Sequence, residues 1–157
     1  MPLHLKSDDV KESKVTWTSP EQGEGSMAVK KAYGNEASMM IATRAPGYHT
    51  RPHRHISEQI NYVLDGEIWF FVEDKGFLCK KGDFQRIPSN VTHWAYNCSE
   101  QPAVVAETHA PALLGREGDA GLFDDEETPN VKGPGVNEFV PFDPDTIKRI
   151  ERAYIDR

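Results

Sequence analysis

Two stretches of the sequence concentrate side chains that can bind a metal ion. In the first, His49, His53 and His55 fall within seven residues and are followed by Glu58 and Gln59. Successive side chains of an extended chain point to opposite faces, so His53, His55 and Gln59 share a parity that Glu58 does not. Two imidazole nitrogens and one amide oxygen would then converge, with Glu58 as the alternative ligand. His49 lies in the preceding loop, where we expect an exposed position or one beside the ligands.

The second stretch, residues 82–97, supplies a further imidazole at His93. This histidine follows a turn at Gly82, a predicted strand at 84–87 and a second turn around Asn90. Three imidazoles and one amide oxygen suit a divalent transition metal such as Fe, Mn, Ni, Co, Zn or Cu, and the ligand types do not choose among these. A site of this kind that leaves a coordination position open can also bind a substrate.

The spacing within these two stretches resembles the two sequence motifs of the cupin superfamily. The matching patterns are Gly47-x5-His53-x-His55-x3-Gln59-x6-Gly66 and Gly82-x5-Pro88-x4-His93-x3-Asn97. The resemblance covers roughly residues 37–111 and implies an all-β protein, a cupin-type jelly-roll β-barrel with a short C-terminal helix. It also implies that His53, His55, Gln59 and His93 hold the metal ion.

Two positions depart from the commonest cupin pattern. Asn90 replaces a turn glycine, a mild change because asparagine tolerates left-handed dihedral angles. Gln59 stands where a glutamate ligand is usual, which removes one negative charge and leaves the metal more Lewis acidic. Some cupins with proton-transfer roles, including those resembling uronate tautomerases and the isomerase of bacilysin assembly, use the same His-His-Gln-His set.

The last predicted strand, residues 104–109, carries Glu107 and His109 on one face. In cupins resembling uronate tautomerases, a strand at this place carries an acidic residue two positions before an aromatic one. Facing inward, Glu107 would move a proton and His109 would orient it. Facing outward, the two would meet solvent or a dimer contact. Arg44 and Arg86 are the cations nearest the motifs, and for each a surface position is expected over a role in holding a substrate carboxylate.

These residues predict a metal-dependent enzyme that acts on a small oxygenated molecule by Lewis-acid proton transfer, as an isomerase, tautomerase or lyase. The alternatives are a non-haem iron dioxygenase and a small-molecule-binding cupin without turnover. Sensors of this fold usually carry a pair of DNA-binding helices, and the sequence shows no such segment.

The composition of the chain indicates which binding partners and which cellular compartment to expect. The 157 residues carry a net charge of −7, which argues against binding to nucleic acid or to an anionic membrane. No apolar run approaches the ~20 residues of a membrane span, and the N-terminal residues lack the apolar core of a signal peptide. Cys79 and Cys98 are expected to be reduced thiols. We therefore expect a cytoplasmic homodimer, since apolar strand faces usually pair in this fold.

The elements that must position these side chains are short strands separated by turn signals. We predict strands at 15–18, 27–32, 38–44, 60–64, 67–72, 77–80, 84–87, 93–97 and 104–109, with a Gly-rich turn at 21–26 and tight turns at Asp65-Gly66 and Asp74-Lys75-Gly76. Residues 1–36 form an N-terminal arm and leading strands, and 37–111 form the barrel core. Residues 112–157 hold an irregular acidic segment and, from the N-cap Asp143 and Pro144, a helix packed on the same domain.

Overall fold

The computed structural model describes residues 4–19, 23–34, 36–112, 138–140 and 143–157. Apart from a 3-10 turn at Ser7–Asp9, its elements are eleven strands and one helix. They are β1 (Ser13–Ser19), β2 (Gly23–Tyr33), β3 (Ser38–Arg44), β4 (His53–Arg54), β5 (Glu58–Asp65), β6 (Glu67–Val72), β7 (Lys75–Lys80), β8 (Phe84–Ile87), β9 (His93–Tyr96), β10 (Ala103–Ala110), β11 (Glu138–Phe139) and α1 (Pro144–Ile155).

The strands form two antiparallel sheets. The six-stranded sheet has the order β1-β2-β3-β10-β5-β8, and the five-stranded sheet has the order β11-β4-β9-β6-β7. One cluster of buried apolar side chains draws on both, with Val63 and Val105 from the first sheet and Ile68, Phe70 and Ala95 from the second. The sheets therefore pack face to face around a shared core.

Alternation along the strands decides which side chains face this interior. In β10 the odd-numbered residues are buried and the even-numbered ones are more exposed. The register pairs Val105 with Val63, Glu107 with Asn61, and His109 with Gln59 of β5. The interior thus changes from apolar to polar within a few residues along neighbouring strands.

The turn between β5 and β6 depends on Gly66. Its φ is +73°, and a Cβ placed there would lie 2.5 Å from the carbonyl oxygen of Pro102. Both facts require glycine at this position, and the predicted hairpin is confirmed. The following turn lies one or two residues earlier than predicted, because Glu73 takes the left-handed conformation with φ 56° and β7 already begins at Lys75. The predicted Gly-rich turn is likewise too long, since β2 begins at Gly23.

The C-terminal helix lies on the outer face of the five-stranded sheet. The Asp143 side chain accepts a hydrogen bond of 3.2 Å from the Asp145 amide, which confirms the predicted N-cap. The Tyr154 ring centroid is 6.4 Å from those of both Trp69 and Phe71. At Gly76, a Cβ would come within 2.8 Å of Phe71 and Tyr154, so glycine allows the helix this close approach.

The prediction of an all-β protein with a short C-terminal helix is confirmed, whereas closure of the two sheets into a barrel remains a prediction. The predicted irregular segment at 113–135, with its acidic cluster Asp124, Asp125, Glu126 and Glu127, lies outside the described residues. Within the described residues, no helix combines the length and the hydropathy that crossing a membrane requires.

Candidate metal centre

Three histidines from the two sequence motifs meet at one end of the interior. His53 in β4 is the register partner of His93 in β9, and their ring centroids are 4.2 Å apart. The His55 ring lies 4.8 Å from that of His93 and 5.8 Å from that of His53. One ligand atom from each of the three falls within 4.8 Å of the others. His55 and His93 are buried and His53 is partly exposed, so the cluster lies beside solvent.

Backbone carbonyl groups determine which ring nitrogen of each histidine carries the proton. The Nδ1 atoms of His53, His55 and His93 lie 2.8, 2.8 and 2.9 Å from the carbonyl oxygens of Arg51, Ser57 and Val91. A carbonyl oxygen only accepts, so each Nδ1 must donate. The proton of the neutral ring is then on Nδ1, and Nε2 keeps its lone pair for a metal ion.

The surroundings also keep these rings neutral. Burial, together with the neighbouring histidines, lowers the pKa of His53 to about 4 and that of His93 to about 2. Burial lowers the pKa of His55 as well. The buried Nε2 of His93 has no hydrogen-bond partner among the described residues. A buried lone pair that meets no donor, as at His93, is unfavourable unless a cation satisfies it, so this cluster of ring nitrogens fits a metal ion.

A chain of amide hydrogen bonds orients the Gln59 side chain toward the same cluster. Gln85 Nε2 donates to the Arg86 carbonyl at 2.8 Å, which leaves Gln85 Oε1 to accept from Asn61 Nδ2 at 2.7 Å. Asn61 Oδ1 then accepts from Gln59 Nε2 at 2.7 Å. Gln59 Oε1 consequently points at His55 Nε2, 3.1 Å away. Both atoms are acceptors in the tautomer fixed above, so a shared cation suits the pair better than a hydrogen bond.

Asn61 and Gln85 are the members of this chain that the sequence did not mark as functional. Asn61 has the same parity as Gln59, and this placed it on the same face of the strand as a proposed ligand. Gln85 becomes visible only through the register of β5 with β8, where it pairs with Asn61. Asn90 at the second turn has φ 60°, as expected, and its amide donates to the His55 carbonyl at 2.8 Å. This hydrogen bond ties the two sequence motifs together.

The alternative ligand, Glu58, lies on the other face of its strand. Its carboxylate pairs with Arg86, and both side chains are substantially exposed to solvent. The structure therefore brings Gln59 to the histidines and places Glu58 at the surface, while ligation by Gln59 remains a prediction. Arg86 has the surface position expected of it.

Glu107 and His109 face the interior, with exposures of 4% and 3%. The outward alternative is therefore wrong for both. His109 Nε2 lies 3.1 Å from Gln59 Oε1 and donates to it, because the oxygen can only accept. Burial, followed by the nearby His55, lowers the pKa of His109 to about 3, and the charge of Arg44 contributes in the same direction.

Arg44, expected at the surface, is 2% exposed, so that expectation is wrong. Its Nη2 forms an ion pair with Glu107 Oε1, and its guanidinium carbon lies 5.2 Å from the centre of the Tyr48 ring. Nε and Nη1 have no hydrogen-bond partner among the described residues. A buried donor without an acceptor costs about 1–3 kcal/mol of stability, and more when it is charged. A bound ligand that accepts hydrogen bonds from these atoms would remove that cost.

His49 is buried, which excludes the exposed position considered for it. Its Nε2 lies 2.6 Å from Glu151 Oε1 of α1, and the same oxygen accepts from Trp94 Nε1 at 2.9 Å. His49 therefore connects its loop to the C-terminal helix and lies outside the histidine cluster.

Known proteins resemble this chain in sequence and in fold. A model of the cupin domain family matches residues 40–109. Among solved structures, a cupin-like protein from Thermotoga maritima is 26% identical with a TM-score of 0.52, over 55% of this chain and 69% of its own. An RmlC-like cupin from Shewanella frigidimarina is 18% identical with a TM-score of 0.58, over 75% of this chain and 96% of its own. The polyketide cyclase RemF from Streptomyces resistomycificus is 18% identical with a TM-score of 0.57, over 70% and 80% of the two chains.

No protein of curated function matches the chain. Two antiparallel sheets around an inward-facing histidine cluster define the class, a β-rich protein with a candidate metal centre. Together with the family match, they identify residues 40–109 of the chain as a cupin domain. The resemblance inferred from the two histidine motifs is thereby confirmed.

Proposed function

We propose that this cupin is a metal-dependent enzyme that acts on a small molecule bearing a carbonyl or carboxylate group. The reaction class that we favour is proton transfer, as in an isomerase, a tautomerase or a lyase. The observation that carries the proposal is a cluster of three imidazoles, in which one ring nitrogen of each lies within 4.8 Å of the others. Backbone carbonyls hold the proton of each ring on Nδ1, which leaves Nε2 as the ligand atom. An oriented amide oxygen adjoins them.

The proposed ligands are His53, His55, Gln59 and His93, all of them neutral. A divalent transition metal held by them supplies Lewis acidity toward a carbonyl or carboxylate oxygen. Because none of these donors is anionic, the positive charge of the cation is not offset by its ligands. A neutral ligand set of this kind favours electrophilic chemistry over simple structural binding, for which closed cysteine-rich sets are typical.

Glu107 is the residue that we propose moves the proton, and His109 is proposed to have an orienting role beside it. The contact with Arg44 favours the ionised form of Glu107, and an ionised carboxylate can accept a proton but not donate one. His109 donates to Gln59, which fixes the orientation of its ring beside the proposed ligands. In the proposal, Glu107 therefore receives the proton and His109 positions Gln59.

The test uses 2-oxobutyrate in deuterated water without oxygen, with protein that has been stripped of metal and then loaded with each of the six candidate ions. We expect exchange of the C3 protons, followed by proton NMR, to be faster with at least one loaded form than with the stripped protein. His49→Ala should retain this rate, since His49 lies outside the cluster. Equal rates for loaded and stripped protein contradict proton transfer at this site.

The same experiment separates the other classes. A reaction that begins only when oxygen is admitted, with oxygen consumed in proportion to product, identifies a dioxygenase. A protein that binds the probe equally well after metal removal and never turns it over is a binding module.

The compartment and the assembly are also proposals. Cys79 and Cys98 are both free thiols, which agrees with a reducing cytoplasm. Exposed apolar side chains on β3, β5 and β8 point away from the core, at Met39, Ile41, Ile60, Leu64 and Phe84. A homodimer would bury them. Sedimentation at rising concentration tests this assembly, and a monomer at all concentrations contradicts it.

A further inference from the structure

We propose that Arg44 forms a subsite that binds the carboxylate of a small organic acid, beside the candidate metal centre. This deepens the proposed function, on which it rests for the chemistry of the acid's reacting end. The subsite itself is defined by the guanidinium group and does not require the metal ion.

The guanidinium group has more donors than the protein satisfies. Of its five N–H groups, the three on Nε and Nη1 have no acceptor among the described residues, although the side chain is only 2% exposed. Glu107 occupies Nη2, and Tyr48 lies against the guanidinium. Proteins commonly bind carboxylates through a guanidinium group that has N–H donors available for two parallel hydrogen bonds.

The position of the group relative to the histidine cluster defines the size of the acid. Glu107, which touches Arg44, precedes His109 by two residues on the same face of β10, a separation of roughly 7 Å. His109 in turn contacts Gln59. An acid with a few carbon atoms between its carboxylate and its reacting group can therefore reach both the guanidinium and the proposed ligands.

The balance of charge favours an anion. Arg44 and Glu107 compensate each other, the amide is neutral, and each of the three imidazoles donates its Nδ1 proton to a backbone carbonyl and keeps a lone pair on Nε2. A bound divalent cation would leave two positive charges without a partner among these groups, and a monoanionic carboxylate would offset one of them. A phosphate dianion would place a second negative charge beside the Glu107 carboxylate, so a carboxylate is the favoured ligand.

The experiment measures binding by calorimetry to both metal-free and zinc-loaded protein. The probes are acetate, succinate and glutarate, with acetamide, succinamide and glutaramide as neutral counterparts and inorganic phosphate as the rival anion. The variants are Glu107→Gln and the double change Arg44→Met with Glu107→Gln, which removes the buried pair without stranding a charge. Arg86→Met is the matched control, because it removes an exposed guanidinium from β8, the edge strand of the same sheet. Circular dichroism confirms that each variant is folded.

We expect the metal-free protein to bind at least one carboxylate ten times more tightly than its amide and more tightly than phosphate. Glu107→Gln should strengthen carboxylate binding severalfold, because Arg44 loses its internal counter-ion. The double variant should lose at least tenfold, and Arg86→Met should change nothing.

A double variant that binds carboxylates as well as the unmodified protein overturns the proposal. So does an unmodified protein that binds no carboxylate, or that binds amides or phosphate equally well. If the unmodified protein does not bind zinc but still selects carboxylates in its metal-free form, the metal-dependent function is contradicted and the Arg44 subsite is not.

Discussion

The two ends of the interior are built on the same strands and differ in what they contain. At the apolar end, the inward-facing residues of β5, β9 and β10 are Val63, Ala95 and Val105, packed with Ile68 and Phe70 of β6. At the polar end, two to four residues further along the same strands, they are Gln59, Asn61, His93, Glu107 and His109. The register is continuous between the two ends, so topology does not cause the difference.

The apolar end mainly stabilises the fold, whereas the polar end is suited to binding and catalysis. Burial of the apolar end contributes about 25 cal/mol for each square ångström removed from water, which is the main favourable term in folding. The polar end buries imidazoles, amides and an ion pair, which contribute little to stability and are costly where partners are missing. A strand pattern that changes from apolar to polar at one end therefore marks the region organised for binding.

The largest expected effect on folding comes from the apolar end. Phe70 is 2% exposed, and Phe70→Ala should reduce the free energy of unfolding by about 3–5 kcal/mol, through lost burial and a residual cavity. Phe77, its cross-strand partner, is 44% exposed and provides the control. Denaturant titration of the metal-free proteins should show a clearly smaller loss for Phe77→Ala. Equal losses would mean that the apolar end is not the core of this fold.

At the polar end, His93→Ala should weaken metal binding and leave the protein folded. If the ~10–16 kcal/mol of a structural zinc site is divided over four ligands, each accounts for about 2.5–4 kcal/mol, or roughly 60- to 700-fold in affinity. We expect zinc affinity to fall by about that factor while the circular dichroism spectrum is retained. His49→Ala is the control, since it removes another buried histidine and should leave zinc affinity unchanged. A His93→Ala protein that binds zinc normally removes His93 from the site.

Gln59→Ala should have a smaller effect of the same kind. An amide oxygen is a weaker ligand for a transition metal than an imidazole, so we expect a loss of about 100-fold or less, in a protein that remains folded. Titration with a competing chelator measures the change. Unchanged metal content and affinity would show that Gln59 is not a ligand.

The smallest effect is expected for Gln85→Leu, which interrupts the amide chain two side chains away from the histidines. Outer partners of metal ligands typically contribute 10- to 100-fold in metal affinity, and we expect the lower part of that range, about tenfold. Stability should fall through the loss of two hydrogen bonds, the buried one from Asn61 Nδ2 and the one to the Arg86 carbonyl. A Gln85→Leu protein with normal zinc affinity would mean that Gln59 is oriented without the chain.

Sequence spacing and strand parity predicted the part of this site that lies within single strands or motifs. His53, His55, Gln59 and His93 came from motif spacing, and the shared face of Glu107 and His109 came from alternation. The orientation of Arg44 could not be predicted, because its partner Glu107 is on another strand and a single arginine is most often at the surface. The same holds for Gln85, which depends on strand register, and for His49, whose partner Glu151 is 102 residues away.

The most direct test of the central claim is anomalous diffraction from crystals of the zinc-loaded protein at the zinc absorption edge. We predict one strong peak about 2.0–2.2 Å from the Nε2 atoms of His53, His55 and His93 and from Gln59 Oε1. Crystals in which these rings diverge, or in which no peak lies between them, would contradict the account.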